Sequence, residues 1–217
     1  NADNQVAIAK AGGIPSLVAL ARGGTDGQKE EAARALFNLA ANADNQVAIA
    51  RAGGITPLVA LARGGTDGQK VAAAWALMAL ALNDDNQVAI ARAGGIAPLV
   101  ALARDGTDGQ KEEAAMALWN LAANADNEVA IARAGGIAPL VALARNGTDG
   151  QKQYAAGALN CLAYNNANNQ VAIAIAGGIA PLVALARGGT DVQKEQAAGA
   201  LWNLACRNDD NKVAIAS

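Results

Sequence analysis

The sequence predicts an all-α fold built from tandem repeats, and three observations carry that expectation. Glycine pairs return at a near-fixed interval, Gly12-Gly13, Gly53-Gly54, Gly94-Gly95, Gly135-Gly136 and Gly177-Gly178, a period of 41 residues that lengthens once to 42. A period of that size is the signature of stacked helical arrays. The composition is helix-forming: apolar residues make up 53% and are mostly Ala, Leu, Ile and Val, whereas aromatics are only 3%. Finally, a Thr-x-x-Gln box stands at one place in every period, at Thr25/Gln28, Thr66/Gln69, Thr107/Gln110, Thr148/Gln151 and Thr190/Gln193.

Each period reads as three helices. In the second, NQVAIARA over 45–52 is a short helix ended by Gly53, which takes the left-handed stop conformation without Cβ strain. Pro57 then sits in the first turn of a second helix, LVALAR, where its missing N–H costs little, and Gly64-Gly65 ends it. The third helix opens on the Thr66/Gln69 box, whose two side chains satisfy unpaired backbone donors at the helix start. Three to four turns follow, ending near Ala41, Leu82, Ala123, Tyr164 and Cys206 before Asn/Asp-rich connections. No unit can bury its apolar face alone, so stacking must supply the core. The chain divides into units over 1–41, 42–82, 83–123, 124–165 and 166–207, with the first helix of a sixth over 208–217, in one solenoid.

Charge and residue usage remove several functions. A net charge of −2 and a pI near 5.1 give no global basic field, so neither nucleic acid nor an acidic membrane is expected as a partner. The longest apolar stretch, 71–82, falls well short of the roughly 20 residues that span a bilayer. The first residues, NADNQVAIAK, lack the regions of a signal peptide and match later internal segments, which suggests an excised piece of a longer array. Two cysteines are too few for a disulfide framework and point to an intracellular setting, cytoplasmic or nuclear. Cys161 and Cys206 are expected to stay reduced, lying in neighbouring units and different helical columns. There is no histidine, and the only serines are Ser16 and Ser217, which removes Ser-His and Cys-His dyads and the commonest zinc ligand. No catalytic residue, metal or cofactor is expected. Asp84-Asp85 and Asp209-Asp210 read as helix caps, and no G-x-x-x-x-G-K-[ST] string turns the glycine pairs into a phosphate cradle.

The order of short helix, Gly-Gly, second helix, and then AARALFNLA or AAGALWNLA on the third helix resembles the armadillo family over the whole chain. Beta-catenin, importin-alpha and the plant arabidillo proteins share the pattern, and ALWNLA at 117–122 and 200–205 is most similar to the last. Units this alike arise by recent duplication or by consensus engineering. The resemblance implies a right-handed α solenoid whose third helices line a concave groove, and a scaffold that holds an extended peptide or protein segment there.

Five units in one chain can also be compared with one another. Along the third helix the columns headed by Gln28, Lys29, Ala32, Ala33, Ala35, Leu36, Leu39 and Ala40 never change, whereas those headed by Glu30, Glu31, Arg34, Phe37, Asn38 and Ala41 do. At 100° per residue the varying six fall within about 60° of Arg34. One face is therefore fixed by stacking and the other is free to diversify. The free face carries Arg34, Trp75, Met116, Gly157 and Gly199 in one column, Phe37, Met78, Trp119, Asn160 and Trp202 in the next, and Asn38, Ala79, Asn120, Cys161 and Asn203 in a third. Tyr154 joins it from the Glu31 column.

By the resemblance, the third-column asparagines bond the backbone of the bound segment, a task suited to an amide that offers donor and acceptor together. Core packing is the competing role for the tryptophans, and a solvated surface is the competing role for the asparagines. Glu30, Glu31, Glu112, Glu113 and Glu195 form an acidic rim that outnumbers Arg34 and favours a partner mixing basic with apolar residues. They read as first-turn residues, where stabilising the helix dipole is the alternative role. The importin-alpha pairing of Trp with Asn four residues later is kept in no unit, since Trp75 meets Ala79, which argues against a receptor for nuclear-localisation signals. A purely structural or engineered self-stacking array without an external ligand is the second reading. Val213, Ile215, Leu201 and Leu204 would lie uncapped at one end and invite head-to-tail self-association, with a frayed C-terminal segment.

Overall fold

The computed structural model describes residues 2–206 and 208–216. Among the described residues it contains sixteen helices, fifteen of them in five three-helix units, and no strand. Unit one comprises α1 (Ala2–Lys10), α2 (Gly13–Gly23) and α3 (Asp26–Leu39). Unit two has α4 (Ala43–Arg51), α5 (Ile55–Gly64) and α6 (Asp67–Leu80), and unit three α7 (Asp84–Arg92), α8 (Ile96–Asp105) and α9 (Asp108–Leu121). Unit four has α10 (Ala125–Arg133), α11 (Ile137–Asn146) and α12 (Asp149–Ala163), and unit five α13 (Ala167–Ile175), α14 (Ile179–Gly188) and α15 (Asp191–Ala205). The α16 helix (Asp209–Ala216) begins a sixth. Among the described residues no single helix is long and apolar enough to cross a membrane.

The two glycines of each pair do different work. The first, such as Gly53 at φ 75°, is left-handed and bends the chain sharply, by 84° between α7 and α8. The second brings two helices together: a Cβ on Gly54 would lie 2.7 Å from Ile49 Cγ2 and 3.1 Å from Val18 Cγ2 of the preceding unit. The Gly54 N–H also donates back to the Ile49 carbonyl at 2.9 Å, closing the end of α4. All five Thr/Gln capping boxes form with both reciprocal bonds. The first three third helices end at Leu39, Leu80 and Leu121, two residues short of the expected stop, because the next residues turn toward the following Asn cap.

The core is a continuous stack of Ala and Leu. Leu36, Leu77, Leu118 and Leu159 on the third helices are fully buried, as are Ile49, Ile90 and Ile131 on first helices and Leu58, Leu99 and Leu140 on second helices. The third helices pack most extensively on one another, α3 on α6, α6 on α9, α9 on α12 and α12 on α15, whereas successive second helices touch lightly. The fixed alanines allow that close approach of the third helices. The C-terminal end corrects one expectation: Leu204 is fully buried and Leu201 half-buried, while Val213 is 71% exposed. Leu204 is thus core and forms no part of an open end face. Cys161 and Cys206 are both free thiols.

Polar side chains tie each unit to the one before. The Gln69 amide, whose Oε1 caps Thr66, donates from Nε2 to the Asp26 carbonyl at 2.9 Å and to Asp26 Oδ1 at 3.1 Å. Gln110, Gln151 and Gln193 repeat this bond to Asp67, Asp108 and Asp149. On the first helices Asn86 and Asn127 donate to the carbonyls of Gln46 and Gln87 one unit earlier, both at 3.2 Å. Among the described residues no buried side-chain nitrogen or oxygen lacks a partner.

Candidate binding groove

The varying columns of the third helices lie along the layer in which successive third helices pack on one another. Trp75, Met116, Trp119 and Tyr154 are half-buried and Trp202 is 67% exposed, so none of the indoles is sealed between units. Phe37 of unit one stacks on Trp75 of unit two, ring centroids 5.7 Å apart, and Trp119 of unit three stacks on Tyr154 of unit four at 6.2 Å. Trp119 also lies over Gly157, where a Cβ would come within 2.6 Å of the indole. The missing side chain in one unit therefore makes room for the large one in the unit before. Gly199 does the same for Asn160, whose amide would meet a Cβ at 2.7 Å.

Two expected contact residues are largely withdrawn from solvent. Met78 is 9% exposed and joins the core, and Asn203 is 7% exposed. The asparagine column also departs from expectation. Asn120 Nδ2 donates to the Met78 carbonyl at 3.0 Å, and Asn203 Nδ2 donates to Asn160 O at 3.1 Å and Oδ1 at 2.8 Å. These amides first satisfy carbonyls at the C-terminal turn of the preceding third helix, where intrahelical partners run out. Asn38, with no described third helix before it, stays exposed. Comparison of the units did not anticipate this bond, because a carbonyl acceptor one unit away leaves no mark in the spacing.

The acidic rim is also reassigned. First-turn positions belong to Asp26, Asp67, Asp108, Asp149 and Asp191, and the glutamates lie a turn further on. Glu30 and Glu112 reach instead to the first turn of the next unit's third helix, where a Cβ on Gly68 or Gly150 would meet their carboxylates. Glu30 pairs with Arg34 at 2.6 Å, and Glu112 accepts from Thr148 Oγ1 at 3.0 Å. Glu113 is raised above the ordinary carboxylate value by burial, opposed by a hydrogen bond from Trp75 and reinforced by the neighbouring Glu112 charge. Burial and the same two glutamates raise the Tyr154 phenol. Glu31 and Glu195 stay exposed. The middle of the groove, from Trp75 to Tyr154, is thus an aromatic strip with two carboxylates in it. Among the described residues no cluster of three or more His, Cys, Asp or Glu could hold a metal.

This architecture, three-helix units stacked third helix on third helix, defines a repeat scaffold of the armadillo class. The family model for the Armadillo/beta-catenin-like repeat matches residues 1–41, 83–123 and 166–206, more than half of the chain, and the protein belongs to that family. Among solved structures, two engineered proteins from the Northeast Structural Genomics Consortium are each 34% identical. One has a TM-score of 0.84, with 88% of this chain and 79% of that one covered; the other has a TM-score of 0.94 over all of this chain and 53% of its own length. The chain thus spans about half the length of the latter. A designed armadillo repeat protein in complex with the peptide (KR)4 is 25% identical, with a TM-score of 0.86, 94% of this chain and 87% of that one covered. No curated protein sequence matches the chain.

Proposed function

We propose that the protein is a non-catalytic scaffold that holds an extended segment carrying basic and apolar side chains along its third-helix groove. The observation that carries this reading is the aromatic strip from Phe37 through Trp75 and Trp119 to Tyr154, half-open and interleaved with Glu112 and Glu113. An indole face flanked by carboxylates suits a lysine or arginine side chain, whose stem packs on the ring while its charge meets the acid. The designed neighbour with its (KR)4 peptide supports the same partner class. Because Asn120 already bonds the preceding helix through one amide hydrogen, backbone recognition there falls to its second amide hydrogen and carbonyl oxygen, whereas Asn203 spends its Nδ2 on two bonds to Asn160. A peptide-library selection on the purified chain tests the proposal: enrichment of Lys/Arg alternating with apolar residues, lost on Trp75→Ala, is the expected result. Absence of any enriched sequence would leave the array a self-stacking structural element. We also propose head-to-tail association through the exposed Trp202 and Val213.

A further inference from the structure

The outer layer carries a second, regularly repeated feature that the groove does not use. At each of the four junctions an open cleft lies between the third helix of one unit and the second helix of the next, of about 440, 530, 230 and 420 Å³ in chain order. Each is walled by Ala, Pro and Leu side chains of the later unit's second helix, as Ala97, Pro98, Ala101 and Leu102 do in the second cleft. The earlier unit supplies one arginine, one lysine and one aspartate to each cleft. These are Arg22, Lys29 and Asp26 in the first, and Arg63, Lys70 and Asp67 in the second. Arg104, Lys111 and Asp108 serve the third, and Arg145, Lys152 and Asp149 the fourth. The lysine column lies about 140° around the third helix from the groove column of Arg34.

Charge is segregated between the two faces. The groove has five glutamates against Arg34, whereas each outer cleft has two cations against one aspartate. Three of the four aspartates also share a carboxylate oxygen with the glutamine amide of the next unit, at 3.1, 3.1 and 3.4 Å. The second cleft is the exception, because Asp105 lines it as well and also binds Arg104 at 2.8 Å. In the other units that position is Gly23, Gly64, Asn146 or Gly188.

We infer that the row of clefts is a second docking surface, for an acidic, proline-rich segment with a carboxylate at every third residue. The warrant is charge complementarity combined with pitch. Packed helices of neighbouring units stand about 8–10 Å apart, and a polyproline II segment rises about 3.1 Å per residue with three residues per turn. Every third side chain therefore returns to the same side once per unit. A Glu there meets the Lys and Arg of one cleft, and the intervening prolines lie on its Ala/Pro/Leu wall without ordering cost, since that conformation is already populated. Each cleft's own aspartate, paired to Lys70 at 3.9 Å in the second, works against such a partner, and Asp105 adds a further acid there.

The test uses the full chain and fluorescently labelled peptides of repeating Glu-Pro-Pro, the uncharged Gln-Pro-Pro counterpart, and a same-composition peptide with its glutamates clustered. Saturable binding of the first and neither of the others is expected, together with no competition from a Lys/Arg groove peptide. Reversing Lys70, Lys111 and Lys152 to Glu should weaken it at least about tenfold, with helicity unchanged by circular dichroism. Asp105→Asn should strengthen it by about twofold or more. Equal binding of the clustered peptide, loss of binding on Trp75→Ala, stronger capture on anionic vesicles, or no saturable binding would each overturn the inference. The Gln-Pro-Pro, clustered-glutamate, lysine-reversal and Asp105→Asn outcomes do not depend on whether the groove binds a basic segment.

Discussion

Trp119 and Gly157 form a pair that only makes sense across a unit boundary. The indole occupies the space that a Cβ at 157 would fill, and it meets Tyr154 on one side and Cys161 on the other, the thiol raised above its ordinary value mainly by burial. Trp119→Ala should weaken a groove partner by about 2 kcal/mol if the indole is a hot spot, with helicity retained. Unchanged affinity alongside lost helicity would assign Trp119 to packing alone. Gly157→Ala approaches the same site from beneath: its methyl cannot share the space with the ring, so the indole must move, and titration of the partner by tryptophan fluorescence should show weakened binding.

Glu128 is the other informative residue. It occupies the slot held by Gln46, Gln87 and Gln170, whose amides donate to the carbonyls of Ala40, Ala81 and Ala163 at 2.9, 3.1 and 3.1 Å. A carboxylate cannot donate, and Glu128 is 7% exposed, its carboxylate accepting from Asn166 Nδ2 at 3.2 Å. Burial, opposed by that bond, raises it from an ordinary carboxylate value of 4.5. The folded state thus favours the protonated acid. That contribution is fully present below about pH 4.5 and is lost as pH rises through the raised folded value. Glu128→Gln should stabilise the chain at neutral pH by about 1 kcal/mol, the worth of one restored hydrogen bond, and remove this pH dependence. Urea denaturation at pH 4 and pH 7 measures it; a variant less stable than the parent at pH 7 would contradict the assignment.

At the scale of the helix, one side chain often serves two ends. Gln110 caps Thr107 through Oε1 and ties back to Asp67 through Nε2, so Gln110→Ala removes a cap and an inter-unit bond together. A loss of about 1–3 kcal/mol in denaturant unfolding is expected, more than for a cap alone. Half of this was legible in the sequence. Thr and Gln three residues apart announce the box, because both partners lie on one helix turn. The tie to Asp67 was not, since it spans 43 residues and depends on stacking. The same divide runs through the groove. Helical phase put Trp75, Met116 and Trp119 on one face, but it could not reveal that Met78 turns into the core or that Asn120 bonds the Met78 carbonyl. Nor did it keep Glu112 out of the first turn, although the box, with Thr107 as cap and Gln110 at the third helical position, already puts Glu112 at the fifth.

For the whole molecule, opposite charge on two faces makes salt a diagnostic. Binding of a basic segment to the groove should weaken as salt rises, because the exposed Glu31 and Glu195 act through screened fields. Salt-independent affinity would locate the energy in the aromatic contacts alone. The end faces make a separate prediction. Sedimentation of this 217-residue chain should show concentration-dependent association, reduced by Trp202→Glu, whose indole is 67% exposed. A strict monomer at high concentration would remove the end-to-end proposal.

The sequence period and the spatial period are not the same quantity in this molecule. After α12 the connection gains a residue, and Asn165 takes up the slack in a left-handed conformation at φ 48°. The tie from the next first helix is nevertheless made as before: Asn45 and Asn127 reach back six residues to the carbonyls of Leu39 and Leu121, whereas Asn169 reaches back seven to Leu162. The register of the stack is therefore set by which atoms bond, and the chain length between them is an adjustable slack. Residues could be spliced in at this corner, a binding loop or a reporter, without altering the step at which the array measures out whatever lies along it.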